Sequence, residues 1–362
     1  MTITQKKIFL LGYYGFGNWG DELTLQSVIN DFEKISKSTS CSFYYSVLTQ
    51  NKIFFPLPLP NLFMNFRKKP ISVLREIAKT NYVVVGGGSL LQDSTSFRSL
   101  LYYFFLLCWA LFFRRPIIFY RCGLGPLRTA LSQKMVSYVL KRSKLFIARD
   151  QESADFVNKL SGGRIPVKIG IDPVVSAFNG FVNVSKATST VSFFVRSCKL
   201  PYEEKLIENL KYLKGKIQER IEIVAFHYEC DHEIATRIAD QIGCQWKYFR
   251  SLEEIKSYFY QLSAIFTMRL HPAILSAMME VPWFALNIDP KIESFANWWE
   301  KKNLVNWKDI SRETFLTFYK NREDIFKCNN EVKSRLRQLD DQSRIWLQEQ
   351  LFKDGVFAAK GN

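Results

Sequence analysis

Residues 8–21 read Ile8-Phe9-Leu10-Leu11-Gly12-Tyr13-Tyr14-Gly15-Phe16-Gly17-Asn18-Trp19-Gly20-Asp21, and this stretch decides the fold of the N-terminal half. The four apolar residues at 8–11 predict a strand, and the glycine-rich turn after them leads into a helix from Asp21. In that helix the apolar residues recur with helical spacing: Leu25, Val28, Ile29, Phe32 and Ile35. A strand, a tight loop and an amphipathic helix in this order form the repeating unit of a doubly wound α/β sheet.

The same unit recurs along the chain. Three more strand-like runs in the N-terminal half end in glycine-rich or charged loops: Tyr82–Val85, Pro116–Tyr120 and Leu145–Ala148. A turn-rich segment from Ile169 to Thr188 is typical of a linker. Beyond it the pattern restarts with four runs: Val191–Val195, Ile221–Phe226, Ala264–Thr267 and Pro282–Leu286.

This alternation predicts an α/β protein with two Rossmann-like domains facing across a cleft, the GT-B-like arrangement. We expect an N-terminal domain at residues 1–177 and a C-terminal domain at 188–329. A charged helix from Asn330 to Phe352 and a tail complete the chain at 330–362.

Composition limits the partners. A net charge of +16 and a pI near 9.4 favour something anionic, but no nucleic-acid-binding motif is present, so we expect no nucleic acid. Seven cysteines, an odd number without a C-x-x-C pair, are typical of a reducing cytoplasm. The polar N-terminus and the short apolar run behind it do not resemble a signal peptide, and we expect the protein not to be exported.

One segment is apolar throughout. From Leu100 to Phe113 the tyrosines are the only polar side chains, and Arg98, Arg114 and Arg115 flank the run. Fourteen residues are short for a membrane span, so the helix is either buried on all sides or faces lipid. We expect the buried helix, while the arginine flanks leave open a peripheral contact at the inner face of a membrane.

Arg269-Leu270-His271 is predicted to lie at a turn from the strand ending at Thr267 to a helix opening at Pro272. Proline suits a first helical turn, and the remaining N–H groups with the helix dipole favour an anion there. Lys291 follows the next strand and adds a cation. The alternative is structural, with an arginine that caps the helix and a histidine that fills a gap.

The first loop has a different character. It carries four aromatic rings, at Tyr13, Tyr14, Phe16 and Trp19, together with hydrogen-bonding groups on Asn18 and Asp21. Neither the dinucleotide-binding nor the P-loop pattern occurs, and two carboxylates at the start of the helix would repel a phosphate. The loop therefore favours a sugar ring, although the aromatic residues could equally pack beneath the loop.

Six motifs taken together resemble those of the polysaccharide pyruvyltransferase family, CsaB-like branch, over about residues 8 to 300. In order they are residues 12–22, Gly86-Gly87-Gly88-Ser89, Gly123-Leu124-Gly125-Pro126-Leu127, Ala148-Arg149-Asp150-Gln151-Glu152-Ser153, Gly170-Ile171-Asp172-Pro173, and Arg269-Leu270-His271 with Lys291. The resemblance implies a GT-B-like enzyme that moves the enolpyruvyl unit of phosphoenolpyruvate onto a sugar of a cell-surface polysaccharide or its precursor. The product would be a cyclic pyruvate ketal.

The resemblance also implies site residues. Arg149, His271 and Lys291 match the phosphoenolpyruvate site, with Arg269 and the Leu270 backbone beside them. Tyr14 and Phe16 lie in the loop that would face the acceptor sugar, which also holds Asn18 and Asp21. Arg121-Cys122 departs from the family pattern, in which many relatives have a small residue and a glutamine, so an altered floor of the site is expected.

The residue types suit this chemistry. A donor with a phosphate and a carboxylate calls for fixed cations, and guanidinium groups bind oxyanion pairs in bidentate fashion. Protonation of the methylene carbon calls for an acid that titrates near neutral pH, which favours His271. Asp21 is a candidate to accept the hydroxyl proton. Phosphoenolpyruvate is expected as a co-substrate without a further cofactor, and the spacing of His227, Cys230 and His232 fits no zinc pattern, so no metal is expected.

Two other functions fit part of the sequence. A GT-B glycosyltransferase would share the fold and would bind a nucleotide sugar. A non-enzymatic protein that binds an anionic polysaccharide or a membrane would account for the charge but not for the gathering of Arg149, Arg269, His271 and Lys291. The acceptor in the preferred interpretation is a sugar or a lipid-linked glycan.

Overall fold

The computed structural model describes residues 4–51, 62–94, 96–177, 190–197 and 202–356, with residues 325–330 described by their backbone alone. The chain forms two compact units. The first contains residues 1–16, 21–177 and 338–362, and the second contains residues 17–20 and 178–337. The predicted linker end at Ser185–Thr188 and the tail beyond residue 356 lie outside the described residues.

The first unit is built on seven parallel strands. These are β1 (Thr4–Tyr14), β2 (Cys41–Thr49), β3 (Leu62–Phe66), β4 (Tyr82–Gly86), β5 (Ile117–Cys122), β6 (Leu145–Ala148) and β7 (Val167–Ile169). Its helices are α1 (Trp19–Ser38), α2 (Pro70–Lys79), α3 (Phe97–Phe112), α4 (Ala130–Leu140) and α5 (Gln151–Ser161). The strand order β3-β2-β1-β4-β5-β6-β7 is that of a doubly wound sheet.

Side-chain alternation along β1 explains why helices cover both faces of this sheet. Phe9 and Leu11 join the core beneath α2–α5, whereas Ile8, Leu10 and Tyr14 join the core beneath α1. Since successive residues of a strand point to opposite faces, a strand that is apolar at every position is buried on both sides.

The second unit repeats this plan with six parallel strands. These are β8 (Thr190–Val195), β9 (Arg220–Ala225), β10 (Gln245–Lys247), β11 (Leu262–Thr267), β12 (Trp283–Asn287) and β13 (Leu304–Asn306), in the order β10-β9-β8-β11-β12-β13. Its helices are α6 (Tyr202–Lys214), α7 (Tyr228–Ile242), α8 (Leu252–Phe259), α9 (Leu270–Met278), α10 (Pro290–Ala296) and α11 (Thr314–Lys320). The long α12 (Arg322–Lys353) begins in this unit and ends in the first. Three 3-10 turns lie at Pro173–Ser176, Asn297–Trp299 and Trp307–Asp309.

Each of the eight predicted strands is present, and β6 has the predicted bounds. The predicted linker, Ile169–Thr188, begins too early in the chain. Val167–Ile169 pairs with β6, and the 3-10 turn Pro173–Ser176 is buried, so this segment belongs to the first unit. The predicted C-terminal helix is present as α12 but begins at Arg322.

The expectation that the apolar helix is buried on all sides is also wrong. Leu100, Tyr103, Leu106, Leu107 and Ala110 of α3 are buried, which is one face of a helix. The opposite face is apolar too, and it is exposed, with Phe105 at 52% and Phe112 at 75%. No helix in the described part of the chain has the length and apolar character needed to cross a bilayer.

Candidate functional site

The carboxyl edge of the second sheet holds Arg269, as the sequence predicts. Arg269 is the N-cap residue of α9, directly after β11. Its guanidinium bonds the buried Asp231 carboxylate, and Nε donates to the Val195 carbonyl at 3.2 Å. The backbone N–H of Arg269 donates to Thr267 Oγ1 at 2.9 Å. These contacts hold the arginine in one orientation beside the start of the helix.

His271 lies in the first turn of α9, next to Gly20. A Cβ added to Gly20 would come within 1.8 Å of His271 Nδ1, so the imidazole packs directly on the glycine backbone. Both residues belong to the second unit. The first turn of α9 contains no acidic residue, and the N-cap side chain makes no capping hydrogen bond. The start of this helix is therefore suited to an anion.

Lys291 is linked to Arg269 through neighbouring strand ends. Arg196 follows β8, directly after Val195, whose carbonyl accepts from Arg269. Arg196 Nη1 donates to Asp289 Oδ2 at 3.0 Å, and the Lys291 N–H donates to Asp289 Oδ1 at 3.1 Å. Burial alone would raise the pKa of Asp289, but the charge and N–H of Lys291 and the Arg196 guanidinium hold the pKa below its ordinary value.

The formal charges at this edge leave an excess of cation. Three basic side chains, at 196, 269 and 291, stand against two carboxylates, at 231 and 289. Arg196 keeps 42% of its side chain exposed, so it can reach a ligand. The sequence analysis did not select Arg196, although its position directly after the strand Val191–Val195, at a carboxyl edge, was the signal that could have found it.

Arg149 lies in the first unit, at the end of β6. Its side chain is 6% exposed. Nε donates to Asp150 Oδ2 at 3.2 Å and Nη2 to Ser89 Oγ at 3.2 Å, while Nη1 lies 3.7 Å from Asp172 Oδ2. Arg149 is thus fixed in place, and two carboxylates offset its charge, so a donor bound here would share the guanidinium with them.

Close packing around Arg149 explains two motif residues. A Cβ on Gly123 would lie 2.3 Å from Ser89 Oγ and 2.8 Å from Arg149 Nη2, so any side chain at 123 would displace Ser89 or Arg149. Asp150 caps α5 by accepting from the Ser153 N–H at 2.7 Å. At the carboxyl edge of the first sheet the sequence analysis predicted Arg149 as a site residue but not Ser89 or Asp172. Both lie in motifs that it had quoted for the family resemblance.

Arg121, the departure from the family pattern, is buried. Its guanidinium forms ion pairs with Asp31 at 3.1 Å and Asp340 at 2.7 Å, and it donates to the carbonyls of Ile171 at 2.7 Å and Asp172 at 2.9 Å. It therefore braces the segment that carries the Asp172 carboxylate. Burial raises the pKa of the neighbouring Cys122 thiol to about 12, so that thiol stays protonated.

The first loop presents one pair of stacked rings. Tyr13 and Phe16 lie 3.8 Å apart and are nearly parallel. The Arg67 guanidinium sits 5.1 Å from the Phe16 ring and donates to the Gly12 carbonyl at 2.8 Å and to Tyr103 Oη at 2.6 Å. A flat pair of rings with an adjacent cation suits the face of a sugar ring.

Tyr14 does not face an acceptor. It is 1% exposed, and its hydroxyl donates to the Gly86 carbonyl at 2.6 Å, so it packs beneath the loop. Tyr13, at 38% exposure, presents its ring instead. Trp19 is also buried, with Nε1 donating to the Phe249 carbonyl at 3.0 Å.

Asn18 and Asp21 lie on either side of the division between the units. Asn18 belongs to the second unit, where it pairs with His227, and its Oδ1 accepts from the Gly20 N–H at 3.2 Å. Asp21 belongs to the first unit, where a Cβ on Gly88 would lie 3.9 Å from its Oδ1. Asp21 is therefore near the loop that follows β4.

Glu22 supports the first loop from below. It is 1% exposed, and its Oε1 accepts from the Gly15 N–H at 2.7 Å. Burial raises the pKa of Glu22 to about 8, against the lowering effect of the Gly15 N–H, and Asp21 adds to the rise. Glu22 is thus mostly neutral at pH 7, so the expectation of two charged carboxylates at the start of α1 is wrong.

In the part of the chain that the structure describes, no group of three or more His, Cys, Asp or Glu side chains lies close enough together to hold a metal ion.

Two doubly wound sheets in one chain, with the candidate site residues at their carboxyl edges, define an α/β protein of the GT-B type. Solved structures share this fold. A UDP-GlcNAc 2-epimerase from Neisseria meningitidis bound to UDP-GlcNAc is 12% identical, with a TM-score of 0.61, over 96% of this chain and 100% of that one. A putative UDP-N-acetylglucosamine 2-epimerase from Listeria monocytogenes is 9% identical, with a TM-score of 0.60, over 92% and 91%.

Anabaena HepE in complex with UDP is 13% identical, with a TM-score of 0.60, over 96% of this chain and 100% of that one. The chain itself belongs to the polysaccharide pyruvyl transferase family, whose profile matches residues 18–290. A comparison with curated protein sequences gives no significant match. The family is one of transferases that act on polysaccharide, and the resemblance found from the motifs is confirmed.

Proposed function

We propose that this protein transfers the enolpyruvyl unit of phosphoenolpyruvate to a sugar of a cell-surface polysaccharide or its precursor, forming a pyruvate ketal and releasing phosphate. One observation carries the proposal. The ends of β8, β11 and β12 bring Arg196, Arg269 and Lys291 to one edge of the second sheet, where His271 opens a helix. The family membership supports the same reaction.

The donor is a compact anion with a phosphate and a carboxylate, so it needs cations in fixed positions. Arg269 is held by Asp231, and the start of α9 offers N–H groups for a phosphate. Arg196, with its side chain partly exposed, and Lys291 are suited to the second anionic group. Arg149 and the Leu270 backbone remain proposed donor contacts.

Ketal formation begins with a proton transferred to the methylene carbon of the donor. His271 is the proposed acid, since imidazole titrates near neutral pH. The resulting cation at the neighbouring carbon is attacked by one sugar hydroxyl, which loses its proton. The bond to phosphate then breaks, a second hydroxyl attacks the same carbon, and its proton leaves as the ring closes.

The acceptor side rests on the first loop. The stacked rings of Tyr13 and Phe16 are the proposed platform for a sugar, and Asn18 and Asp21 are the proposed hydrogen-bonding groups. Asp21 is the candidate to take the hydroxyl proton. We further propose that the reaction needs no cofactor besides phosphoenolpyruvate, that the acceptor is a sugar or a lipid-linked glycan, and that the protein works in the cytoplasm.

The test is mass spectrometry of candidate glycans after incubation with the protein and phosphoenolpyruvate. The expected product carries one pyruvate ketal, and in deuterated water the ketal methyl group should acquire deuterium from the solvent. His271→Gln keeps a hydrogen-bonding side chain but not the acid, so turnover should fall about a hundredfold or more.

His232→Gln is the matched control, because His232 is a partly exposed histidine on α7 whose Nδ1 contacts the Tyr228 carbonyl. Its turnover should equal that of the unmodified protein. Near-normal ketal formation by His271→Gln would assign the proton to another residue, and absence of the ketal on every glycan tested, in the presence of donor binding, would count against the reaction.

A second candidate is a glycosyltransferase or epimerase that binds a nucleotide sugar. Structures of similar fold were solved with UDP or UDP-GlcNAc, which favours testing it. A thermal-shift comparison separates the two. Phosphoenolpyruvate should raise the melting temperature, and UDP-GlcNAc should leave it unchanged; the reverse pattern would favour the second candidate.

A further inference from the structure

The outer face of α3 is apolar along its whole length. Phe97, Leu101 and Phe105 lie four residues apart and are 38%, 41% and 52% exposed, and Phe112 continues the stripe at 75%. Residues at this spacing share one side of a helix. In a surface helix of a globular protein that side is normally polar, so this helix has one apolar face in the core and a second on the outside.

The exposed rings form a cluster. Trp109 lies 6.4 Å from Phe105, 6.0 Å from Phe112 and 5.1 Å from Phe113, measured between ring centroids. The neighbouring helix α4 extends the surface with Leu131, 58% exposed, and Tyr138, 45% exposed. We call this surface the α3–α4 face and define it by Phe97, Leu101, Phe105, Phe112, Leu131 and Tyr138.

The segment of chain that carries the α3–α4 face is basic, with Asp93 as a neighbouring carboxylate at the start of α4. Residues 94–149 contain ten Lys and Arg residues and not one Asp or Glu. Seven of the ten are exposed, and six of these lie on or next to α3 and α4: Arg98, Arg114, Arg128, Lys134, Lys141 and Arg142. The Arg142 guanidinium lies 3.8 Å from the centre of the Tyr138 ring, which brings a cation directly onto the apolar surface.

We propose that the α3–α4 face docks on the surface of a membrane that contains anionic lipid. Contiguous exposed apolar patches with a charged rim mark interaction sites. Aromatic and aliphatic side chains insert at the boundary of headgroups and acyl chains, and a surrounding basic rim is attracted to lipid phosphates. A second copy of the chain is disfavoured, because pairing this face with itself would bring two basic surfaces together.

The docking face is connected to the first loop through the other side of α3. Tyr103 faces the core and accepts from Arg67, which stacks on Phe16. A membrane seated against α3 would thus lie near the loop proposed to face the acceptor. The docking inference rests on the helix face and its charge, and it does not depend on the transferase activity.

The experiment is co-sedimentation of the purified full chain with vesicles of phosphatidylcholine alone or with about a third phosphatidylglycerol. We expect binding to the anionic vesicles, little binding to the neutral ones, and loss of binding in high salt. Phe105→Ser with Phe112→Ser should weaken the partition coefficient at least tenfold, and so should Lys134→Glu with Lys141→Glu.

The matched control is Ile345→Ser with Phe352→Ser. These residues are exposed at 45% and 47%, lie seven positions apart like the first pair, and belong to α12. The control should bind like the unmodified protein, and circular dichroism should show all three variants folded. Failure of the full chain to bind anionic vesicles, or equal binding by the Phe105/Phe112 variant, would overturn the proposal.

A dimer in solution that the same variant converts to a monomer, without vesicle binding, would also overturn it. In that case the face would be an interface between copies of the chain.

Discussion

The raised pKa of Glu22 gives the sharpest prediction for stability. The value of about 8 compares with an ordinary value of 4.5, a difference of roughly 3.5 pH units, and each unit corresponds to about 1.36 kcal/mol. The charged form is therefore disfavoured in the folded state by up to about 5 kcal/mol. The side chain is 1% exposed, and Oε2 has no hydrogen-bond partner among the described residues, so little solvent screening reduces this figure.

The direction of the pH dependence follows from proton uptake. Below about pH 4.5 Glu22 is protonated in both the folded and the unfolded chain, and its contribution to stability is fully present. Between 4.5 and 8 the unfolded chain ionises while the folded chain keeps the proton, so the free energy of unfolding falls as the pH rises. About 3 kcal/mol should be lost by pH 7, and most of the remainder by pH 8.

Glu22→Gln removes the titration and keeps an oxygen for the Gly15 N–H. Urea denaturation followed by intrinsic fluorescence at pH 5, 6, 7, 8 and 9 gives the free energy of unfolding of both proteins. Relative to the unmodified chain, the variant should gain roughly 2 to 3 kcal/mol of stability between pH 5 and 7. Glu152→Gln, in the exposed first turn of α5, is the control that should leave the slope unchanged. A difference between Glu22→Gln and the unmodified protein that is constant from pH 5 to 9 would refute the reasoning.

Three other predictions concern packing and the site. Leu106→Asp should unfold the protein or lower the free energy of unfolding, measured by chemical denaturation, by about 4 kcal/mol or more, because it buries an unpaired charge. Leu101→Asp on the outer face should lower it by under about 1 kcal/mol, and equal losses would contradict a helix with one buried and one exposed face. Lys291→Ala should raise the Michaelis constant for phosphoenolpyruvate about tenfold to a hundredfold, and an unchanged constant would remove it from the donor site. Gly20→Ala should displace the His271 ring, because the added methyl group would meet Nδ1 at 1.8 Å, and turnover should fall at least tenfold while circular dichroism shows the fold retained. Unchanged turnover would mean that the position of the ring is unimportant.

Strands that are apolar at every position could be predicted, because burial on both faces produces a continuous run of apolar residues in the sequence. Tyr82–Val85 and Leu145–Ala148 are of this kind, and each is observed. The strand Cys41–Thr49 was missed because polar residues interrupt it. The three-residue strands β7, β10 and β13 were missed because a run of that length has no measurable periodicity.

Residues at the ends of strands were predictable as a group, and their partners were not. Arg269 and Lys291 are brought to one edge of the second sheet because parallel strands end together. The partner of Arg269, Asp231, lies 38 positions away on α7, and no local pattern connects the two. The burial of Tyr14 could have been foreseen by extending β1, because alternation places Tyr14 on the same face as Leu10.

The apolar helix misled the sequence interpretation for a physical reason. A run without charges predicts that no side of the helix prefers water, but it does not say what covers the second side. Leu106 and Phe105 are adjacent in sequence and nearly equal in hydrophobicity, and yet one is 3% and the other 52% exposed. Only the neighbouring helices decide which face is covered.

The path of the chain through the first unit has a consequence for biosynthesis. Asp340, which pairs with the buried Arg121, and Leu347 and Leu351, which fill the core beneath α1, are all within the last 25 residues of the 362. Residues 1–177 therefore emerge from the ribosome long before residues 338–351, which complete the same unit, have been synthesised. During that interval Arg121 lacks one of its two carboxylates, and the part of the core that Leu347 and Leu351 fill is open. The first unit therefore finishes folding only after residues 338–351 have been translated, and a nascent chain before that point is a natural client for a chaperone.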